Sequence, residues 1–270
     1  MKKFTVPALL LAAGLALAGC SGNSTQDSKA SNSAASSTSA AQSTASNGDA
    51  SAKSEGVMTY EDYVNANLDS EVVLEAFVQD KQSWWDNKAT IYAADPDGAY
   101  FIYNANVPED LYEKLTPGTK IKVSGYKTEW SGETEVAEGA DVEVVDDGTT
   151  YIAPVVDVTE YLGNDDELIK HQNQKVSFNG LVIEPAADGS EEAYLYNYDG
   201  SGEDGDDLYF KASKDGKTYT FTVESYLTGK DSDVYKAVKD LKVGDKVDME
   251  GFLYWYEGAN PHITSVTVVE

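Results

Sequence analysis

Carboxylates and aromatic rings are the side chains here with the means to do chemistry. The chain holds 47 Asp and Glu against 20 Lys, has no Arg, and carries a formal net charge of −27. Its two histidines, His171 and His262, fall in a polar stretch and a turn, with no nucleophile and acid spaced to work with them. There is no Gly-x-Ser-x-Gly elbow and no Gly-x-x-x-x-Gly-Lys phosphate loop. A glycosidase needs two carboxylates at a set separation, and no spacing singles out a pair. The residues therefore point to a non-catalytic chain with no cofactor. The acidic run Asp199, Glu203, Asp204, Asp206 and Asp207 is the one place a cation could sit. It lacks the spacing of an EF-hand loop and reads more readily as a solvated loop. The rings are more telling: Trp84, Trp85, Tyr92, Tyr100, Tyr103 and Trp130 fall within fifty residues, and Trp255 comes late. Flat aromatic faces stack on sugars, bases and apolar groups, and they attract cations.

One further residue can be chemically modified. Cys20 is the chain's one cysteine, so disulfides and thiolate metal sites are excluded from everything after it. It follows Lys2 and Lys3, an apolar run from Phe4 to Ala18, and the small residues of Leu17-Ala18-Gly19. The run suits a secretion signal and is short for a membrane span, which needs roughly 20 apolar residues. Residues 1–19 with Cys20 resemble the signal peptide and lipobox of bacterial lipoproteins. That resemblance implies cleavage before Cys20, acylation of its thiol with palmitate-type chains, and an extracytoplasmic protein anchored to the cell membrane. Each buried CH₂ contributes about 0.8 kcal/mol, so two or more chains hold firmly.

Residues 20–56 are almost entirely Ser, Ala, Thr, Asn, Gln and Gly, with no aromatic residue. Such a stretch cannot bury enough apolar surface to order itself, and reads as a disordered tether reaching roughly 30–35 Å. Beyond it the composition changes and the chain repeats. Leu115-Thr-Pro-Gly118-Thr-Lys-Ile-Lys-Val-Ser-Gly125-Tyr126 parallels Leu241-Lys-Val-Gly244-Asp-Lys-Val-Asp-Met-Glu-Gly251-Phe252. Asp69 to Val78 likewise parallels Asn173 to Val182, with apolar or small residues at alternate positions, the period of a half-buried strand. Short helices are predicted over Pro108–Leu115 and Asp231–Leu241, and closing strands over Asp141–Val145 and Ser265–Val269. Gly125 and Gly251 fall inside the fourth strand, where glycine allows a sharp bend.

Each half thus reads as three strands, a short helix and two strands. That order resembles the OB-fold, and the chain as a whole resembles the tandem OB-fold lipoproteins of Gram-positive bacteria. The resemblance implies a mainly β protein of two five-stranded barrels, 57–150 and 151–270, each with a helix between strands three and four. The second carries an acidic insertion over about Asp188–Gly216. A single larger β-sandwich is the other arrangement such strands could take.

OB-folds take ligands on the face of strands two and three and in the flanking loops. Trp84 and Trp85 fall after strand one, Trp130 after strand four, and Tyr92, Tyr100 and Tyr103 on strands two and three. The matching loop of the second half is Tyr254-Trp255-Tyr256, where alternation buries some rings and exposes others. Flanked by Asp86, Glu129 and Glu133, the rings suit a saccharide, a cationic peptide or an envelope protein partner. Nucleic acid is the alternative the fold suggests, and the charge argues against it, since a phosphate backbone is held by Lys and Arg. A third possibility is a structural spacer or subunit of an envelope complex, with the rings as core or interface.

Overall fold

The computed structural model describes residues 49–270. The signal segment 1–19, the lipidation assigned to Cys20 and the tether up to residue 48 lie outside the described residues. Of the remaining tether residues, 49–56, Lys53 and Ser54 are tied to the first barrel. Lys53 Nζ donates to the Glu75 carbonyl at 2.6 Å and to the Asp95 carboxylate at 2.5 Å, and the Ser54 amide donates to Glu75 Oε2. Glu75 and Asp95 are both buried carboxylates, and a buried charge requires a partner.

The first half holds α1 (Tyr60–Asn65), β1 (Glu71–Lys81), β2 (Lys88–Asp95), β3 (Gly98–Asn106), α2 (Glu109–Tyr112), β4 (Lys120–Trp130), β5 (Glu133–Val136) and β6 (Asp141–Val144). β1 pairs with β2 and β4, β2 with β3, and β4 with β5 and β6, all antiparallel. The parallel contacts of β3 with β5 and β6 close the ring. This is the OB-fold, with the fifth strand split in two. The N-terminal piece of that split, β5, is absent from the sequence reading. It forms a tight hairpin with β4 through Ser131 (φ 51°) and Gly132 (φ 93°), both left-handed as a type I′ turn requires.

α1 was also unforeseen. A Thr59–Asp62 capping box starts it, Tyr63 enters the barrel core, and Lys127 Nζ ends it by donating to the carbonyls of Tyr63, Val64 and Ala66 at 2.8–3.0 Å. A cation at the carbonyl end of a helix is where the backbone dipole favours one.

The second half follows as β7 (Val156–Asp157), α3 (Asp165–Leu168), β8 (Lys175–Glu184), β9 (Tyr194–Tyr196), β10 (Leu208–Lys214), β11 (Lys217–Val223), α4 (Ser225–Thr228), α5 (Asp233–Asp240), β12 (Lys246–Phe252) and β13 (His262–Val269). β8, β10, β11, β13 and β12 close a second ring of the same order. The insertion is shorter than expected, because β10 lies within Asp188–Gly216 and serves as the second strand. What is inserted is the loop before it, with β9 paired onto β10. The repeat's glycines are matched in role. A Cβ at Gly125 would come within 2.8 Å of Val136 and Ala140, and one at Gly251 within 2.2 Å of the His262 carbonyl oxygen. Both allow the fourth strand to press against the fifth.

Each barrel has its own apolar core, and a third cluster lies between them. Tyr92 and Phe101 from β2 and β3 meet Phe252, Leu227 and Tyr254 of the second barrel. Strand alternation explains why: Ile91, Ala93, Tyr100 and Ile102 point into the first barrel, while Tyr92 and Phe101 point out of it. No helix among the described residues is long and apolar enough to cross a membrane.

Candidate functional site: an aromatic groove between the barrels

The outer face of β2 and β3, where a ligand was expected, is largely covered by the second barrel. Tyr92 stacks on Phe252 at 4.2 Å between ring centroids and shares a 2.7 Å hydrogen bond with His262 Nδ1. Burial pushes the His262 imidazole down to about 3, so it is held neutral. Tyr254 stacks on His262 at 4.5 Å and meets Phe101 at 5.2 Å. Polar contacts tie the seam at both edges. Ser83 donates to the Tyr226 carbonyl, Gln82 to Glu224, Gln172 to the Gly132 carbonyl and to Glu133, and the Trp255 amide to Glu133 Oε2 at 2.9 Å.

Beside this seam a groove of about 790 Å³ stays open, the size of a small-molecule site. Trp85 (65% exposed) and Trp130 (61%) line it from the first barrel with Tyr103, and Tyr226, Tyr254 and Tyr256 line it from the second. Local structure explains the two tryptophans. Trp85 precedes Asp86 and Asn87, both left-handed, in a turn whose ends bond back through Trp85 and Lys88. Trp130 stands at the end of β4, just before the left-handed Ser131–Gly132 turn.

The other expected site residues lie elsewhere. Trp84 is half-buried, and its indole N–H donates to the Val107 carbonyl at 2.8 Å. It is absent from the groove wall. Tyr100 points into the first barrel and donates to Asp95 at 2.8 Å. Tyr92 is wholly buried in the seam. Trp255, 9% exposed, plugs the core of the second barrel and packs against Gly132. Alternation therefore buries the middle ring of Tyr254-Trp255-Tyr256 and leaves the outer two for the groove.

The acidic flank is also different from the one expected. Glu133 is wholly buried, and burial pushes its carboxyl up to about 8. The groove instead carries Glu135, Glu224 and Asp207. Burial raises Glu135 to about 7, and burial with the nearby Asp207 raises Glu224 to about 7. Asp207 is held by the amide and hydroxyl of Ser225 at 2.8 and 2.7 Å. Glu135, Glu224, Tyr209 and Tyr226 were not singled out from sequence. The signal for Glu135 was present: it is two residues from Glu133, on a strand whose alternation puts both on one side.

The suspected cation loop does not converge. Asp204 pairs with Lys239, Asp206 accepts from the Glu203 amide, Asp207 faces Ser225, and Asp199 binds the Ser201 amide. Among the described residues no three acidic or histidine side chains are grouped to hold a metal.

No protein-family model matches the chain, and no curated relative matches it. Solved structures similar to it include the p204 HINb domain, at 13% identity over 76% of this chain and 100% of that one, with a TM-score of 0.35. The Ifi202 HINa domain in complex with 20-base-pair double-stranded DNA is 15% identical over 74% of this chain and 98% of its own, at 0.31. A replication protein A heterotrimer bound to single-stranded DNA is 12% identical over 77% of this chain and 52% of its own, also at 0.31. At such scores these likenesses carry no inference about a ligand, and the fold assignment rests on the strand pairings themselves.

Proposed function

We propose that this chain is a lipid-anchored, extracytoplasmic binding protein without catalytic activity, and that its ligand lies in the groove between the two barrels. The observation that carries the reading is the pair of exposed indoles, Trp85 and Trp130, on one groove with Tyr103, Tyr226 and Tyr256. Exposed rings gathered in a concave site are costly to hydrate and ready to stack. A saccharide ring, a cationic peptide or a partner's side chain would each satisfy them. The anchor follows from the lipobox-like Leu17-Ala18-Gly19-Cys20. A tether from Cys20 to the docked Lys53 would let the barrels stand off the membrane.

Nucleic acid is the second reading, favoured by the same rings, because bases stack on such platforms in OB-folds. The local charge opposes it. Glu135, Glu224 and Asp207 line the groove, and its one lysine, Lys88, is paired with Glu138. Trp85→Ala combined with Trp130→Ala tests both readings by tryptophan and tyrosine fluorescence titration against oligosaccharides, a lysine-rich peptide and oligo-dT. A stacked ring contributes about 1–3 kcal/mol, so the double variant is expected to lose roughly a hundredfold in affinity with its melting temperature unchanged. Unchanged affinity in the folded double variant rejects the groove. Tight oligo-dT binding that weakens steeply with salt makes the second reading the correct one.

A further inference from the structure

Glu135 stands apart from the other acids of the groove. Its neighbours Glu224 and Asp207 are each satisfied, Glu224 by Gln82 Nε2 and the Tyr226 amide, Asp207 by Ser225. Glu135 is only 6% exposed, lines the groove, and has no hydrogen-bonding or ion-pairing partner for its carboxyl among the described residues. On β5 it is paired with Phe101 of β3 on one side and Thr128 of β4 on the other. The Phe101 ring, 5.2 Å from that of Tyr254, lies in the same wall, and Tyr103 and Trp130 follow along it. A lone buried carboxyl among aromatic faces is a poor place for a sugar hydroxyl array and a worse one for a phosphate. It suits a group that carries positive charge and sheds water easily.

We infer that the groove selects an organic cation, its ammonium or guanidinium head seated against Glu135 among the rings of Phe101, Tyr103, Trp130 and Tyr254. The inference rests on the groove being the ligand site, and names the class of ligand that site takes. Without ligand the unpaired carboxyl holds a proton near neutral pH, because burial disfavours its charge. A cation takes that proton's place, so binding releases it. The other titratable or charged groups facing the groove or Glu135 are Glu133 on the same side of β5, Tyr63 of α1, Glu224, Asp207, Tyr103, Tyr209, Tyr226, Tyr254, Tyr256, the neutral His262, and Lys88 with its partner Glu138. Glu133 is enclosed in the seam, bonded to Gln172 and Trp255 and absent from the groove wall, so the released proton is expected to come from Glu135, and loss of the release in Glu135→Gln checks it.

The test uses the full chain with choline, n-butylammonium and tetralysine as probes, and 3,3-dimethyl-1-butanol as the neutral counterpart of choline. Titration calorimetry at pH 6 in two buffers of different ionisation heat should show close to one proton released per cation bound. Glu135→Gln, which keeps the shape of the side chain, should weaken the cations at least tenfold, abolish the release and leave the neutral alcohol unaffected. A small free ammonium ligand is indicated if choline or butylammonium binds as tightly as tetralysine, and a lysine side chain of a partner if tetralysine binds far better. The inference is overturned if cations bind no better than the alcohol, or if they bind without releasing a proton. Oligosaccharide binding that depends on Trp85 and Trp130 but not on Glu135 would overturn it while leaving the groove as the site. The calorimetry needs no variant, so a Glu135→Gln chain that fails to fold does not shield the inference.

Discussion

Glu133 shows how burial rewrites the meaning of a residue. From sequence it is one of several acids beside Trp130; in the structure it is wholly enclosed where the barrels meet. Its Oε2 accepts from Trp255 and Gln172, while its Oε1 and the nearby Asn173 Oδ1 are both buried acceptors without a donor. Burial disfavours the charged form, so the carboxyl keeps a proton. The group's folded value of about 8 lies above the ordinary 4.5. The folded chain therefore keeps a proton that the unfolded chain has released, and stability falls as pH rises from 4.5 through 8. The ~3–5 kcal/mol at stake is fully lost above that window and fully retained below it. Glu133→Gln, which stays neutral at any pH, is expected to raise the melting temperature at pH 9 and barely change it at pH 4.5. Equal effects at the two pH values would show that Glu133 is ionised in the folded protein. His262 works at the other end: held near 3 against an ordinary 6.5, it costs stability as pH falls from 6.5 to 3, because the unfolded chain takes up the proton first.

Among the elements, the fourth strands show what a repeat can and cannot reveal. The constant spacing from Gly118 to Gly125 and from Gly244 to Gly251 marked both strands and the bend in each. It did not reveal the hairpin of β4 with β5: the equivalent turn of the second half, Glu257–Gly258, is also left-handed but closes only a single bridge, Trp255 with Ala259, so the repeat does not carry the extra strand. Nor could it reveal α1, whose one buried side chain, Tyr63, has too little periodicity to stand out. At Gly251 the bend is a close approach, with the His262 carbonyl where a methyl group would go. Gly251→Ala must push β12 off β13 and is expected to cost about 1–3 kcal/mol or more by denaturant unfolding. A neutral effect would mean that β13 is free to shift. Since His262 also sets the seam, near-ultraviolet circular dichroism of the aromatic cluster should change in the same variant.

For the whole molecule, the decisive feature is that one barrel is laid across the β2–β3 face of the other. Tyr92, Phe101 and Phe252 are as buried as the residues inside either barrel. The seam therefore behaves as a core, and the groove exists because that core does. Phe252→Ala is expected to cost about 3–5 kcal/mol, as for other large rings removed from a core. It should also split a single thermal transition into two, one for each barrel. If the transition stays single and the groove still binds, the barrels are held by the polar edges at Gln172, Ser83 and Gln82 instead.

Much of this protein was determined by sequence alone: the lipobox-like start, the two-fold repeat, the barrel strands, the excess of acid and the prominence of Trp85 and Trp130. These are local properties, set by composition, by a period of two and by spacing along the chain. Tertiary structure decided which rings face water, since the exposure of a ring depends on what packs over it from elsewhere in the chain. Tyr92, Tyr100 and Trp255 went inside, and Tyr226 and Tyr256 of the second barrel joined Trp85 and Trp130 of the first. It also decided which of 47 acids would lack a partner. A carboxylate's charge can be read from its type, but its cost is set by the water and donors that folding takes away.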